Sequence, residues 1–430
     1  MKTLSTLLTL SLLVFGSLHA NKEVSLKRPQ AVRVLVKKAL KGALVETRGA
    51  YDICDPFTDE VLASINKADR HWMEIDKNGI RFGNRIAPLT QLALIPQEKS
   101  SNLLIDGIQY RGVLIVCAVD KGLYFINEVD LEEYVTATLS KRLEEPLPES
   151  TMHALAIVER TRAAYAVEAQ AEQNWHLESN LVGYDGFGTT LRKIGIEEAV
   201  KATRSFVLHS TKEKAPFFGF ATDWCLDSAG VLAPYQTLFQ KEGAFEATSY
   251  VPCSFAQKNR PHSNWAFSIN KRELGDAVGL DRVEEFQLFV DPRSQKVFRV
   301  RISDGENHKD ISFVKLQSIF GSEFIQSNDL KVDKQDKKHI HLKGQGKGLG
   351  TGLCLFTAKQ MSQFGQNAKE ILATFYPKAT VEKLQTLYER AQASLEPLEK
   401  PQQLQPLQEV ESTLLEESFT SDTDNIPLEV

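Results

Sequence analysis

From Val32 to about Ile95 short apolar stretches (Val32 to Val36, Gly42 to Val45, Val61 to Ile65, Leu92 to Ile95) alternate with turn-rich pieces such as Asn78-Gly79 and Phe82-Gly83-Asn84. Strands joined by tight turns produce this spacing. The series continues through Leu103 to Gly107, Tyr110 to Val113 and Gly122 to Asn127, so the front third reads as β-rich. At Leu131 the period changes, and a helix is expected to about Leu143, stopped by Glu145-Pro146-Leu147-Pro148. A second helix follows Pro148, with Glu149 or Ser150 as its cap. Its apolar run from Ala154 to Val158 leaves no solvent face over that turn, which predicts a central helix packed on several sides. Arginines at its far end, Arg160 and Arg162, must then pair with carboxylates or face a cleft.

Beyond Gly195 a helix over Glu197 to Val200 should lead into the strand Ser205 to Leu208, and a loop-rich stretch covers Phe217 to Ser263. Strands with turns at Asp291-Pro292 and Ser303-Asp304-Gly305 are expected between Arg282 and Val314. A glycine cluster spans Gly344 to Gly352, and Ala358 to Ala373 reads as helical with Gly365 interrupting it. The fold class is α+β: a β-rich N-terminal part, a central buried helix and a mixed α/β C-terminal part. The expected divisions are a signal peptide over 1–20, a β-rich subdomain over 21–110, a core over 111–390 and a disordered acidic tail over 391–430.

Composition and charge refine this. With 430 residues, 42% of them hydrophobic, the chain can bury a sizeable core. Met1-Lys2-Thr3, an apolar run from Leu4 to Phe15 and a polar stretch after Ala20 have the layout of a secretory leader, too short to cross a bilayer stably. Export to the periplasm or cell envelope is expected, and a stable transmembrane span is not. The net charge is −5, yet the last 35 residues hold nine acids against Lys400 alone, so that tail carries −8 and the remainder +3. No basic stripe interleaved with aromatics is present, which excludes nucleic-acid recognition.

Of the five cysteines, Cys117 and Cys354 lie in apolar runs as buried thiols, and Cys225 and Cys253 are the better disulfide candidates. Combining those two with His262 gives no recognised zinc spacing, so neither metal nor cofactor is expected. In the glycine cluster, Lys347 is followed by Gly348-Leu349 rather than Ser or Thr, which argues against a nucleotide loop. Glycines that let backbone approach a sugar chain closely fit better.

Several motifs, in order, resemble the stage II sporulation protein D (SpoIID) / LytB family over roughly residues 30 to 385. Ile126 to Tyr134 is similar to its N-x-V-x-L-E-x-Y run, and Pro148 through Arg160-Thr161 to W-P-x-E-A-L-x-A-Q-A-V-A-A-R-T. Ala199 to Thr203 is similar to A-V-x-x-T, and Cys253 with Trp265 and Leu274 to its cysteine, tryptophan and E-L series. Gly344 to Gly352 is similar to G-x-G-x-G-H-G-x-G, and Ile371 to Pro377 to I-L-x-H-Y-Y-P.

The resemblance implies an envelope protein acting on or binding denuded peptidoglycan glycan strands. It is either a lytic transglycosylase or, without catalysis, a strand-binding protein or enhancer of a wall amidase. In the lytic reaction one carboxyl group gives its proton to the glycosidic oxygen. It then takes a proton from the muramic C6 hydroxyl, closing a 1,6-anhydro ring. Ungapped alignment puts Arg142 on the family's catalytic glutamate, and an arginine cannot give that proton. A gap of two residues would bring Glu144 there, and a gap of three Glu145. Leu147 and Leu349 also replace the tryptophan and the glycine-cluster histidine. The resemblance thus names Glu144 or Glu145 as candidate acid. Arg160, Thr161, Trp265, Gly346, Lys347, Gly348 and Gly350 are the candidate substrate-binding residues.

Overall fold

The computed structural model describes residues 31–39, 41–119, 122–143, 145–187, 195–210, 223–239, 249–256, 260, 263–387 and 389. The expected leader, the expected acidic tail, Glu144 and His262 lie outside these residues. The front part is built from β1 (Ala31–Ala39), β2 (Ala43–Arg48), β3 (Tyr51–Cys54), β4 (Val61–Ile65), β5 (Asp69–Asp76) and β6 (Gly79–Phe82). It continues with β7 (Arg85–Ala87), β8 (Gln91–Pro96), β9 (Asn102–Ile105), β10 (Ile108–Tyr110), β11 (Val113–Val119) and β12 (Gly122–Asp130). Next come the helices α1 (Leu131–Arg142) and α2 (Glu149–Ala169), β13 (Leu177–Glu178), α3 (Ser179–Val182), α4 (Ile196–Ala202) and β14 (Phe206–Ser210). Short elements follow: β15 (Trp224–Cys225), β16 (Val231–Leu232), α5 (Tyr235–Phe239) and β17 (Val251–Pro252).

β1 lies between β12 and the parallel edge strand β13 in a seven-stranded sheet ordered β13-β1-β12-β11-β8-β3-β4. The second sheet, six strands ordered β10-β9-β2-β5-β6-β7, shares its core with the first. Alternation of inward and outward side chains explains that core. Val32 and Val34 of β1 and Ala43 and Val45 of β2 are fully buried, while Glu46 and Arg48 pair on the outer face of β2.

α1 begins where Asp130 accepts hydrogen bonds from the backbone N–H groups of Glu132 and Glu133, the expected cap chemistry for a strand turning into a helix. α2 is the central helix that the apolar run demands: Ala154, Leu155, Ala156 and Val158 have no exposure, and it packs against α1, α4, α8, α9 and β14. Its cap is Pro148 rather than Glu149 or Ser150, with no side-chain hydrogen bond. Proline needs no N–H partner, which makes the substitution cheap.

Residues beyond 263 form a second body with its own core. It contains β18 (Asn264–Asn270), α6 (Lys271–Val278), β19 (Glu285–Val290), β20 (Val297–Ser303), β21 (His308–Ser312), α7 (Phe313–Phe320), β22 (Asp329–Gln335) and β23 (His339–Gln345). Two three-stranded sheets, β18-β23-β22 and β19-β20-β21, enclose Ile269, Leu274, Val300, Leu316 and Ile340. The chain then returns to the first core through β24 (Leu353–Cys354), α8 (Leu355–Gln363), α9 (Ala368–Phe375) and β25 (Ala379–Lys383), which pairs with β14. Gly365, at φ +85°, makes the reversal between α8 and α9. The architecture is α+β, as the sequence pattern implies, and no described helix is long and apolar enough to cross a membrane.

Candidate functional site

α1 is regular to its last residue, Arg142, and the Leu143 N–H closes the final turn on the Leu139 carbonyl at 3.0 Å. α1 thus ends on Arg142, the residue that the ungapped register sets on the catalytic glutamate's position, and Leu143 turns the chain into an extended conformation beyond it. Arg142 Nη1 donates to Glu159 Oε2 at 3.2 Å and Nη2 to Asp223 Oδ1 at 3.4 Å, and the guanidinium lies 3.9 Å from the ring centre of Trp224.

Glu159 comes from α2 and has no exposure. It also accepts from Trp224 Nε1 at 3.1 Å and from the Tyr134 hydroxyl at 3.5 Å. Arg162, one turn along α2, stands 3.6 Å from Glu159 and 3.7 Å from Asp223. Two guanidinium groups thus face two carboxylates, so the charges cancel within the cluster. Burial works to raise the Asp223 carboxyl, but the Arg162 and Arg142 charges outweigh it and hold it below the ordinary aspartate range. An ionised carboxylate in this setting cannot serve as a proton donor near neutral pH.

Glu145, one of the two candidate acids, is exposed and donates nothing: it accepts from Lys359 Nζ of α8 at 2.6 Å, which lowers its pKa. Glu144 lies outside the described residues.

Arg160 is fully buried and its donors are spent inside the protein. Nε and Nη2 bind Glu132 at 2.7 to 3.2 Å, Nη1 reaches the Phe206 carbonyl at 3.0 Å, and Nη2 also reaches the Val200 carbonyl at 3.2 Å. Thr161 is equally buried, donating to the Ile157 carbonyl at 2.7 Å and accepting from the Leu208 N–H at 2.8 Å. Both residues fasten α2 to α4 and β14. Neither faces a cleft, and the ion pair, the more ordinary use of an arginine at such a position, accounts for Arg160.

The glycine cluster joins the two bodies. Lys347 and Asp227 exchange backbone hydrogen bonds at 3.0 and 3.1 Å, and the Gly346 N–H reaches the Ser263 carbonyl at 2.8 Å. A Cβ on Gly346, whose φ is +84°, would come within 2.5 Å of the Asp227 carbonyl oxygen, and one on Gly348 within 3.0 Å of Cys225. Gly350 lies over the buried Lys296 side chain, whose Nζ binds Asp329 at 2.8 Å. The close approach these glycines permit is made by the chain's own atoms. Trp265 packs flat on Gly344, gives its Nε1 hydrogen to Ser327 at 2.9 Å and is only 7% exposed at the floor of a groove of about 1050 Å³.

Cys225 and Cys253 are not joined: among the described residues every cysteine is a buried free thiol, and Cys354, opposite Cys225 in the parallel β15–β24 pair, takes its place beside both. No described cluster of His, Cys, Asp or Glu could hold a metal ion. The residues that sequence reasoning missed are Glu159, Asp223 and Trp224, the partners of Arg142 and Arg162. One signal was in view: the A-A-R-T motif has alanine where Glu159 stands, so a carboxylate appears in α2 together with the arginine that ends α1.

A second concavity, of about 830 Å³, opens at the other end of α1 between the β8–β9 turn and α4; Arg111, Glu133 and Lys201 are among its walls.

Comparison with known proteins bears on the same region. An uncharacterised protein of Chlamydia pneumoniae is 34% identical over 182 residues, 42% of this chain and 66% of its own length. One from Chlamydia muridarum is 32% identical over 181 residues, covering 41% of this chain and 62% of that protein. An uncharacterised Brachyspira hyodysenteriae protein is 24% identical over 290 residues, 65% of this chain and 74% of its own. The chain thus spans just under two thirds of the length of the two Chlamydia relatives. Residues 119–209, which hold α1, α2, α4 and the arginine pairs, match the family model described as stage II sporulation protein (SpoIID), and over that segment the chain carries a SpoIID domain.

Proposed function

We propose that this protein is an exported envelope protein that holds denuded peptidoglycan glycan strands and does not cut them at the end of α1. One observation supports the reading: Arg142, which the ungapped register sets on the family's acid, is paired with Glu159 and Asp223, so a guanidinium held in an ion-pair cluster stands there in place of an acid. Glu145, tied to Lys359, offers no replacement. Binding needs none of this proton chemistry, and the SpoIID segment supports a role at peptidoglycan.

The test is retention of the purified protein on insoluble glycan strands stripped of peptides, beside intact sacculi. Retention on the stripped strands is expected. A protein that stays in solution with both materials contradicts the reading.

A further inference from the structure

The concavity at the N-terminal end of α1 carries charge that the protein does not use. Its carboxylates are largely engaged: Glu132 holds Arg160, Glu133 pairs with Arg111 at 3.2 Å, and Asp130 caps α1. Arg111 is engaged as well, lying 3.5 Å from the ring centre of Phe187. Three exposed cations remain on the walls: Lys99 from the β8–β9 turn, Lys201 from the last turn of α4, and Arg204 just beyond it. None of these three makes an ion pair or side-chain hydrogen bond with a described residue, and Glu197 is the one wall carboxylate similarly without a partner among the described residues.

Their placement is built rather than incidental. Ser205 adopts a left-handed backbone, φ +66°, uncommon for a residue with a side chain, and its N–H is held by Glu132 Oε1 at 3.2 Å. Arg160 locks that carboxylate from beneath and also grips the Val200 and Phe206 carbonyls on either side. The buried pair therefore fixes the turn that presents Lys201 and Arg204 to the concavity.

We infer that this concavity is a binding site for carboxylate-bearing sugar, with Lys99, Lys201 and Arg204 receiving the free lactyl carboxylates of muramic residues. The inference rests on the proposed glycan-strand reading and deepens it. Removing the peptides from a strand leaves one lactyl carboxylate per disaccharide, whereas an unmodified N-acetylglucosamine polymer has none. Three flexible cations without internal partners suit an anion repeated along a polymer, and their contribution should be screened by salt.

The experiment compares titration calorimetry of soluble denuded strand fragments with chitin oligosaccharides of equal length, using the full mature chain. The triple variant Lys99→Gln, Lys201→Gln, Arg204→Gln changes exposed side chains only, and its unfolding midpoint checks that it folds. Lys343→Gln, on the wall of the groove beside Trp265, serves as the control. The wild-type protein should prefer strands to chitin, more so at low salt. The triple variant should lose at least about tenfold in affinity for strands, the worth of one charge-assisted hydrogen bond, and Lys343→Gln should lose nothing. Unchanged strand binding by the triple variant, or a loss in Lys343→Gln instead, overturns the site while leaving the glycan-strand reading standing. Equal wild-type affinity for chitin overturns the carboxylate as the recognised group. Wild-type protein that binds neither polymer removes both the site and the reading beneath it.

Discussion

Arg142 and Glu159 are each costly alone and acceptable together. Glu159 has no exposure, so without a cation its charge would lie uncompensated in a low-dielectric interior. Replacing Arg142 with glutamate would set three carboxylates against Arg162, and the like charges would raise at least one of their pKa values while destabilising the fold. We expect Arg142→Glu to cost about 3 kcal/mol or more, the usual scale for breaking a buried pair. Glu159→Ala, which restores the residue of the A-A-R-T motif, should recover part of that loss when the two changes are combined. Urea unfolding of both single variants and the double measures this. A coupling of at least about 1 kcal/mol is expected, and additive effects within about 0.5 kcal/mol would show that the two side chains do not depend on each other. At this scale Arg142 was legible, because ungapped counting back from Arg160-Thr161 spans only 18 positions. Asp223 and Trp224 were not legible, since they reach Arg142 across 81 and 82 positions of chain.

Among the elements, the edge of the seven-stranded sheet has the clearest response to pH. The short strand β13 is attached to β1 beside His176, which is buried and whose two ring nitrogens lie 3.0 and 3.2 Å from N–H donors of Arg33. An imidazolium cannot accept from either donor. Burial, and then the Arg33 charge, push the His176 pKa down from 6.5 to about 4. Between those values the unfolded chain binds more protons than the folded one, so this contribution to stability is full above about pH 6.5 and declines as the pH falls toward 4. His176→Gln should remove that dependence. Urea midpoints from pH 7 to 4 should fall more steeply for the wild-type protein, and parallel curves would contradict the assignment.

The regular elements nearest the site were legible: the change of period at Leu131 gave α1, the unbroken apolar run gave α2, and the Gly365 interruption separated α8 from α9. The helices α6 and α7 were not, because each is eight residues long and shows at most two turns of periodicity.

For the whole molecule, two cores and their junction set what can move and what can bind. The strands between Arg282 and Val314 were readable from their turns, but the closure of residues beyond 263 into a separate core depends on long-range pairs such as β18 with β23, which no local pattern encodes. The glycine cluster, expected to let backbone approach sugar, uses its backbone to stitch that second body to the segment carrying Cys225 and Asp227. The concavity beside α4, with its cations unpaired among the described residues, lies about 16 Å along α1 from Arg142 at 1.5 Å per residue. The proposed binding site and the position that the ungapped register gives to the family's acid are thus at opposite ends of one helix. Mass spectrometry of denuded glycan strands after incubation with the purified protein tests the central claim most directly: strands recovered at their original length with no 1,6-anhydro ends are expected, while anhydro ends that accumulate with time and disappear in Glu144→Gln would contradict it.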